Sequence, residues 1–228
     1  MPDHRIHTEA DLERGIDALV AADPRFAALI AKAGRPPLRR RTGGFAGLAS
    51  TVVSQQLSTA SAGAIWGRLS AAFDPVEPAA IIRARKERLA RVGLSGPKIR
   101  ALKEIARAIV RGDLALATLG DIDAAAAHAA LTAVHGIGPW TADIYLLASL
   151  GHADAWPAGD LALQEAARLG FGLRTRPTAK EMLPLAEPWR PWRAVAARVL
   201  WTYYRAVKGR DGAPVQPAKR STRGANGR

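Results

Sequence analysis

The sequence predicts an all-α fold built from about nine or ten helices. Apolar residues recur at three- and four-residue spacing along most of the 228 residues. No run of alternating β-branched residues is long enough to predict a strand. The chain is long enough to bury a full hydrophobic core, and 48% of its residues are apolar. Pattern and composition therefore both indicate a helical globular protein.

Start and stop signals give the order of the helices. Thr8–Asp11 has the pattern of a capped helix start, and an apolar stripe follows it. Asp23-Pro24 begins a second short helix, after which the basic segment 34–44 interrupts the pattern. Since this segment is the only clear break, the N-terminal helices are expected to return and pack with the C-terminal ones. The later helices are predicted at 45–55, 58–72, 78–92, 97–111, 122–134, 140–150, 160–169, 178–188 and 191–207.

The charge of the chain is strongly positive. Thirty-three Lys and Arg stand against 20 Asp and Glu, a net charge of +13. Residues 208–228 hold six basic residues against Asp211, so +5 lies there and +8 in residues 1–207. We expect 1–207 to form one domain and 208–228, rich in Gly and Pro, to be a basic disordered tail. A basic body and tail suit nucleic acid, although a surface tuned for solubility accounts for the charge equally well.

Residue types exclude several classes of site. The chain has no cysteine, which excludes disulfides, thiolate zinc sites, iron–sulfur clusters and a cysteine nucleophile. The five histidines show no i, i+4 pairing, so no side-chain metal site is predicted. No apolar run approaches the roughly 18–20 residues of a membrane span, and the N-terminus lacks a signal-peptide pattern. A cytoplasmic location without membrane attachment is therefore expected.

The stretch VHGIGPWTAD, around Gly136 and Gly138, has competing interpretations. With Asp160 downstream it superficially matches a dinucleotide-binding turn, but that turn requires a preceding strand. The preceding segment, AAAAHAALTAV, is alanine-rich and helix-forming, so we predict a helix–hairpin–helix over 132–142 instead. Its glycines allow close approach, and backbone N–H groups at the start of the second helix can bind a DNA phosphate without reading sequence. A plain glycine C-cap between two packed helices is the alternative.

Other candidate residues also have purely structural interpretations. In PAGDLALQ, Asp160 can cap the N-terminus of a short helix, a position that also favours its ionised form. The adjacent Gln55 and Gln56 can be ordinary turn residues. A single tryptophan is more often part of a core than of a binding site.

Four segments carry a resemblance to a known family. LTAVHGIGPWTADIYLL followed by ADAWPAGDLAL resembles the helix–hairpin–helix DNA glycosylases, whose signature is a Gly/Pro-rich hairpin and a downstream Asp. VVSQQLSTASA and PWRAVAARVLW make the chain most similar to the DNA-3-methyladenine glycosylase II branch, from about 45 to 205. The implied architecture is a helical bundle with two lobes flanking an active-site cleft. It is a compact form, without the prototype's N-terminal β-domain or the four-cysteine iron–sulfur loop of some relatives.

The resemblance implies a catalytic role for Asp160, whose carboxylate would stabilise positive charge on the sugar and orient the attacking water. Trp140 stands where strand-nicking relatives keep a lysine, so hydrolysis without lyase activity is implied. Trp140 and Trp201 correspond to walls of the base pocket, where an aromatic face attracts a cationic methylated purine. Ile144 falls where the prototype has a tyrosine, which leaves the shape of the pocket and the lesion range open.

The resemblance also assigns residues that contact DNA. Gln56, with Gln55 beside it, takes the place of the side chain that fills the gap left by a flipped nucleotide. Gly136, Gly138 and Thr141 correspond to the hairpin that holds the DNA backbone. A monovalent cation, Na⁺ or K⁺, is implied at the hairpin, and no other cofactor is required. Its ligands would be the backbone carbonyls of Thr132, Val134 and Ile137.

These observations predict a monofunctional DNA glycosylase of base excision repair. It would act as a monomer on duplex DNA that contains alkylated purines such as 3-methyladenine. A glycosylase for hypoxanthine, uracil or an oxidised base is the alternative within the same class. A non-catalytic helix–hairpin–helix DNA-binding protein is an alternative of another class, against which Asp160 argues. A nucleotide-dependent oxidoreductase is a distant third.

Overall fold

The structure, a computed structural model, describes residues 4–212, and within that range the chain is α-helical with no β-strand. The all-α prediction is confirmed. None of the helices in this range has the length and apolar character that crossing a membrane requires. The described residues form twelve α-helices: α1 (Glu9–Ala22), α2 (Arg25–Ala33), α3 (Gly44–Ser54), α4 (Thr59–Ala72), α5 (Pro78–Arg83), α6 (Lys86–Arg91), α7 (Gly96–Arg111), α8 (Ala124–Thr132), α9 (Pro139–Tyr145), α10 (Leu161–Gly170), α11 (Ala179–Leu185) and α12 (Arg193–Lys208).

The predicted total of nine or ten is too low, since the eleven predicted segments correspond to twelve α-helices among the described residues. The segment predicted as one helix at 78–92 is two helices, α5 and α6. The backbone between them is extended, with ψ of 134° at Ala84 and 146° at Arg85. Lys103 Nζ, from α7, donates to Ile82 O at 3.1 Å and to Ala84 O at 2.7 Å. A side chain of another helix thus takes the acceptors that a continuous helix would have used, and the chain can turn.

The helix predicted at 140–150 is present, but its C-terminal part is not α-helical. The segment 140–150 begins as α9 and finishes in a π-helical turn over Leu146–Leu150. Gly151 ends that turn with a φ of 76°, a conformation that favours glycine. The helix that follows the hairpin is therefore carried into the core and stops beside the N-terminal segment of the chain, where Ile6 N–H donates to Gly151 O at 2.7 Å.

The helices form two lobes. In the larger lobe, α7 packs against α3, α5 and α6, and α9 packs against α3 and α8. The smaller lobe is made from both ends of the described chain, since α12 packs against α1, α2 and α10. In its core, Phe26 lies edge-on to Trp189, whose indole N–H donates to Asp23 at 2.9 Å. The predicted return of the N-terminal helices to the C-terminal ones is confirmed.

The basic segment 34–44 crosses between the lobes. Within it, Arg41 N–H donates to Ala148 O at 2.8 Å, beside the π-helical turn of the larger lobe. Arg198, on α12 of the smaller lobe, reaches the same turn and donates to Leu147 O at 3.2 Å. Burial lowers the pKa of Arg198 to about 10. Part of the chain's positive charge therefore joins the lobes instead of facing solvent.

The last described residues lie against the domain. Helix α12 ends at Lys208, and Asp211 forms an ion pair with Arg39 at 2.8 Å. Over 208–212 the structure thus differs from the predicted disordered tail, because these residues find partners on the folded chain. The remainder of the predicted tail, 213–228, lies outside the described residues.

Candidate active site

A cleft of about 1190 Å³ opens between the lobes. The larger lobe contributes the loop between α3 and α4 and the start of α9. The smaller lobe contributes the start of α10 and residues 208–212. Trp140 lines the cleft from the first side and Asp160 from the second, so two residues singled out in the sequence meet across it.

Asp160 is the N-cap of α10. Its Oδ1 accepts hydrogen bonds from Ala162 N and Leu163 N, both at 3.0 Å, which satisfies two free donors of the first helical turn. The local interpretation of this residue is confirmed. It is compatible with a chemical role, because the cap fixes the carboxylate at the edge of the cleft.

Two indoles also hold the Asp160 carboxylate. Trp140 Nε1 donates to Oδ2 at 2.9 Å, and Trp201 Nε1 donates to Oδ1 at 3.2 Å. Oδ1 therefore accepts three N–H groups, whereas Oδ2 accepts one in these contacts and keeps acceptor capacity. The carboxylate has a fixed orientation in which Oδ2 is the oxygen with capacity for a further partner.

Burial raises the pKa of Asp160, and its N–H donors, Trp140 first among them, oppose that rise. Only 7% of the residue is exposed. The helix N-terminus was expected to favour the ionised form, and the two backbone donors act in that direction, but desolvation is the larger effect. A buried carboxyl with a raised pKa beside a cleft is a common property of catalytic groups.

The glycine stretch is a helix–hairpin–helix, as predicted, with α8 ending at Thr132 and α9 beginning at Pro139. Gly136 has a φ of 96°, and a Cβ there would lie 2.7 Å from Ala101 Cβ on α7. Gly138 is extended, lines the cleft and has open space where a Cβ would lie. The two glycines therefore differ: Gly136 packs the hairpin on the lobe, and Gly138 leaves the cleft side accessible.

The loop between α3 and α4 is tied to the hairpin helix. Gln55 Nε2 donates to Thr141 Oγ1 at 2.8 Å, and Thr141 is buried. Gln56 is exposed at the cleft with a φ of 54°. The two glutamines therefore have different roles in the loop. Gln55 holds the loop against α9, and Gln56 is exposed at the cleft.

Two of the candidate pocket residues do not line the cleft. Ile144 is fully buried in the larger lobe, so it does not shape the cleft wall. Trp201 is 4% exposed and contacts the cleft residue Asp160 through its indole N–H. Of the three aromatic and aliphatic residues that the resemblance assigns to a base pocket, Trp140 is the one at the cleft surface.

The hairpin carbonyls can be compared with the predicted cation site. Helix α8 ends at Thr132, and the last carbonyls of a helix lack helical partners. Val134 O accepts the Ile137 N–H at 3.1 Å and retains a second lone pair. Such oxygen donors fit a hard monovalent cation. Within residues 4–212, no cluster of three or more His, Asp or Glu side chains could hold a metal ion.

Several residues that line the cleft were not singled out from the sequence. Leu57 is 39% exposed and Leu161 is 62% exposed, one on each wall. The smaller-lobe wall carries charges of both signs, and Lys208 Nζ lies 3.0 Å from Glu165 Oε1. The basic residues on this wall are Arg176, Lys208 and Arg210. The leucines directly follow Gln56 and Asp160, and this adjacency is the one signal in the sequence that could have identified them.

Comparison with known proteins agrees with this arrangement. A protein of Mycobacterium tuberculosis named "Probable bifunctional transcriptional activator/DNA repair enzyme AlkA" is 34% identical over 85% of this chain, and the match spans 40% of that protein. The structure of a Schizosaccharomyces pombe 3-methyladenine DNA glycosylase in complex with abasic DNA is similar, with a TM-score of 0.76 and 27% identity, over 86% of this chain and 97% of that chain. A Bacillus halodurans DNA-3-methyladenine glycosidase has a TM-score of 0.73 and 29% identity, over 88% and 93%.

The family follows from a match that covers more than half of the chain. Residues 49–191 match the family described as "HhH-GPD superfamily base excision DNA repair protein". This range contains the loop with both glutamines, the hairpin and Asp160. The resemblance drawn from the sequence is thereby confirmed, and the chain belongs to the HhH-GPD superfamily of base excision DNA repair proteins.

Proposed function

We propose that the chain is a monofunctional DNA glycosylase that hydrolyses the N-glycosidic bond of alkylated purines, of the 3-methyladenine type, in duplex DNA. The observation that carries the proposal is the buried Asp160 carboxylate, held by Trp140 and Trp201 beside a helix–hairpin–helix. The alkylpurine substrate is supported by relatives named as DNA-3-methyladenine glycosylases and by the similarity to a glycosylase bound to abasic DNA.

Asp160 acts through Oδ2 in this proposal. As the bond between C1′ and the base nitrogen breaks, the base leaves with the electron pair, and positive charge develops on the sugar. The carboxylate stabilises that charge, and Oδ2 accepts the proton of the water that attacks C1′. A base that already carries a positive charge leaves as a neutral molecule, so no strong general acid is needed. The two indole donors keep the carboxylate in place throughout.

Lyase activity requires an amine that attacks C1′ to form a Schiff base. The hairpin position that the resemblance assigns to such a lysine is occupied by Trp140, whose indole N–H is engaged with Asp160. We therefore propose that the product is an abasic site on an intact strand. The half-buried Trp140 ring at the cleft is suited to contact a flipped, cationic base.

DNA binding is assigned to the hairpin and to the α3–α4 loop. Backbone N–H groups near Gly138, at the start of α9, would bind a phosphate, and open space lies where a Gly138 side chain would be. Gln56 would enter the gap left by the flipped nucleotide, with Gln55 and Thr141 holding the loop behind it. The backbone carbonyls of Thr132, Val134 and Ile137 would hold a Na⁺ or K⁺ ion, which would supply positive charge at the hairpin for a DNA phosphate.

Base release from methylated duplex DNA tests the function. Purified protein is incubated with duplex DNA treated with a methylating agent, and free 3-methyladenine is measured beside a panel containing hypoxanthine, uracil and oxidised bases. We expect release of methylated purines and abasic strands that break only after alkali treatment. Release of hypoxanthine, uracil or an oxidised base without release of methylated purines would contradict the alkylpurine substrate and identify the released base as the substrate. Tight binding to abasic DNA without release of any base would favour a non-catalytic protein.

Trp140→Phe is expected to move the pH dependence of base release. The ionised Asp160 is the active form, so release falls as the pH drops through its pKa. Burial raises that pKa and the Trp140 N–H lowers it, so removing the donor raises the pKa further. The acidic limb of the single-turnover rate profile should therefore move to higher pH. Trp66→Phe, which changes a tryptophan that has no hydrogen bond to Asp160 among the described contacts, is the control. An unmoved limb, or a move to lower pH, would contradict the proposed state of the carboxylate.

Removal of residues 213–228 is expected to weaken the salt dependence of DNA binding. This segment carries Lys219, Arg220, Arg223 and Arg228 and no acidic residue. Each side chain that neutralises a phosphate contributes about 0.9 to the slope of log K against log salt. The truncation keeps Asp211 and its ion pair with Arg39, so the folded domain stays intact. An unchanged slope would show that the segment does not contact phosphate.

A further inference from the structure

The wedge loop, defined here as residues 54–58, has an unusual backbone at Gln56. Gln56 is the one residue other than glycine with a positive φ among residues 4–212, at 54°. Residues other than glycine rarely adopt this backbone conformation unless the surrounding structure imposes it. The neighbouring contacts should therefore show what holds the loop in this form.

Lys98 of α7 holds the end of α3, where the wedge loop begins. Its Nζ donates to Val53 O at 2.8 Å and to Gln55 O at 2.9 Å. These are carbonyls at a helix C-terminus, which lack helical partners and attract a cation. Lys98 itself lies in the first turn of α7, where a cation is disfavoured by the helix dipole. The position of Lys98 is therefore explained by its two acceptors at the end of α3 and not by the dipole of its own helix, α7.

The peptide before Gln56 is thus fixed on two sides. Lys98 binds the main-chain oxygen of Gln55, and Thr141 of the hairpin helix accepts the side-chain amide of Gln55. Lys98 is half-buried, and this burial lowers its pKa. Gln56 follows directly and is exposed at the cleft.

We propose that Lys98 is a positioning residue that presents Gln56 to the DNA duplex. The inference rests on the proposed function, in which Gln56 fills the gap behind a flipped nucleotide. Loss of the Lys98 cation frees two carbonyls, and the peptide at Gln55–Gln56 can then relax from its strained conformation. The flipped state of the nucleotide loses its support, while Asp160 and its indole donors are unaffected.

A double-mutant cycle tests whether Lys98 acts through Gln56. The rate of 3-methyladenine release from duplex DNA is measured for the wild type, Lys98→Met, Gln56→Ala and the double variant. Because a misplaced group can cost one to two orders of magnitude in rate, we expect Lys98→Met to lower kcat/KM by about tenfold. In the Gln56→Ala background, Lys98→Met should cause less than about a twofold further loss, since coupled residues are not additive.

Lys103 provides a matched control on the same helix. It is also half-buried, and its Nζ also donates to two carbonyls at a helix end, those of Ile82 and Ala84. Neither it nor these carbonyls line the cleft. Lys103→Met should lower the melting temperature about as much as Lys98→Met and leave kcat/KM within twofold of the wild type.

The outcomes separate this proposal from the proposed function. Equal losses from Lys98→Met in the two backgrounds, or a loss below twofold in the wild type, would overturn the positioning role. So would an equal loss from Lys103→Met, which would indicate a general effect of stability. Absence of base release by the wild type would instead defeat the proposed function. If Lys98→Met does not fold, Lys98→Gln, whose amide is uncharged and one bond shorter and so loses both the cation and its reach to the two carbonyls, enters the same cycle with the same criteria.

Discussion

Asp160→Asn is expected to slow base release by roughly 10²–10⁴-fold, the range attributed to a positioned general base or a charge-stabilising group. The amide cannot take the proton of the attacking water and carries no charge to stabilise the sugar cation. Asparagine is also a good N-cap, so the bonds from Ala162 and Leu163 can persist and α10 should stay folded. Single-turnover release from methylated duplex DNA measures the loss.

Asp123→Asn is the matched control for this change. Asp123 caps α8, and its Oδ1 accepts from Ala125 N at 2.9 Å and Ala126 N at 3.0 Å, the same pattern as at Asp160. It is exposed and does not line the cleft. The control variant should release base at the wild-type rate. Similar rates for Asp160→Asn and the wild type would remove Asp160 from the chemistry.

Gly136→Ala should destabilise the domain by roughly 2–5 kcal/mol, the sum of a left-handed backbone penalty and an overpacking penalty. Its φ is 96°, and the new methyl would lie 2.7 Å from Ala101 Cβ and 2.9 Å from Ala101 Cα. The hairpin would have to separate from α7 to make room. Denaturant unfolding of the purified variant measures the change in free energy.

Gly138→Ala separates the two roles of the hairpin glycines. Gly138 has an ordinary extended backbone and open space around the new methyl, so the free energy of unfolding should change little. The methyl would stand on the cleft side, where close approach of a phosphate is proposed, so DNA affinity should fall. Equal stability of the two variants would contradict the packing role of Gly136. Wild-type DNA affinity in a folded Gly138→Ala protein would contradict the phosphate contact.

Local sequence was enough to predict most of the fold. The alanine-rich segment before the hairpin identified it as helix–hairpin–helix, and the cap pattern at Thr8 formed the reciprocal bonds with Asp11 that its residues suggest. The break at Ala84 could not be predicted, because it depends on a lysine from α7 that is distant in sequence. Helix periodicity carries no information about such a tertiary donor.

The candidate site was also only partly predictable from the sequence. Asp160 could be identified from its downstream spacing and from the resemblance, but its two indole donors come from both lobes and depend on their packing. Ile144 was assigned to the pocket by the resemblance, and the structure buries it in the larger lobe. A family position identifies which residue corresponds, and only the packing of the helices determines which way it faces.

The arrangement of the lobes has a consequence for how the chain is synthesised. The smaller lobe is built from α1 and α2 at one end and α10 to α12 at the other, with the larger lobe as a continuous insertion between them. During translation the apolar residues of α2, such as Phe26, emerge long before their partner Trp189. All of the sequence of the larger lobe is synthesised before α10 to α12 of the smaller lobe. Folding of the larger lobe then brings the two ends of the smaller lobe together. The Asp160 carboxylate, whose indole donors come from α9 and α12, is therefore among the last features of the molecule to be completed.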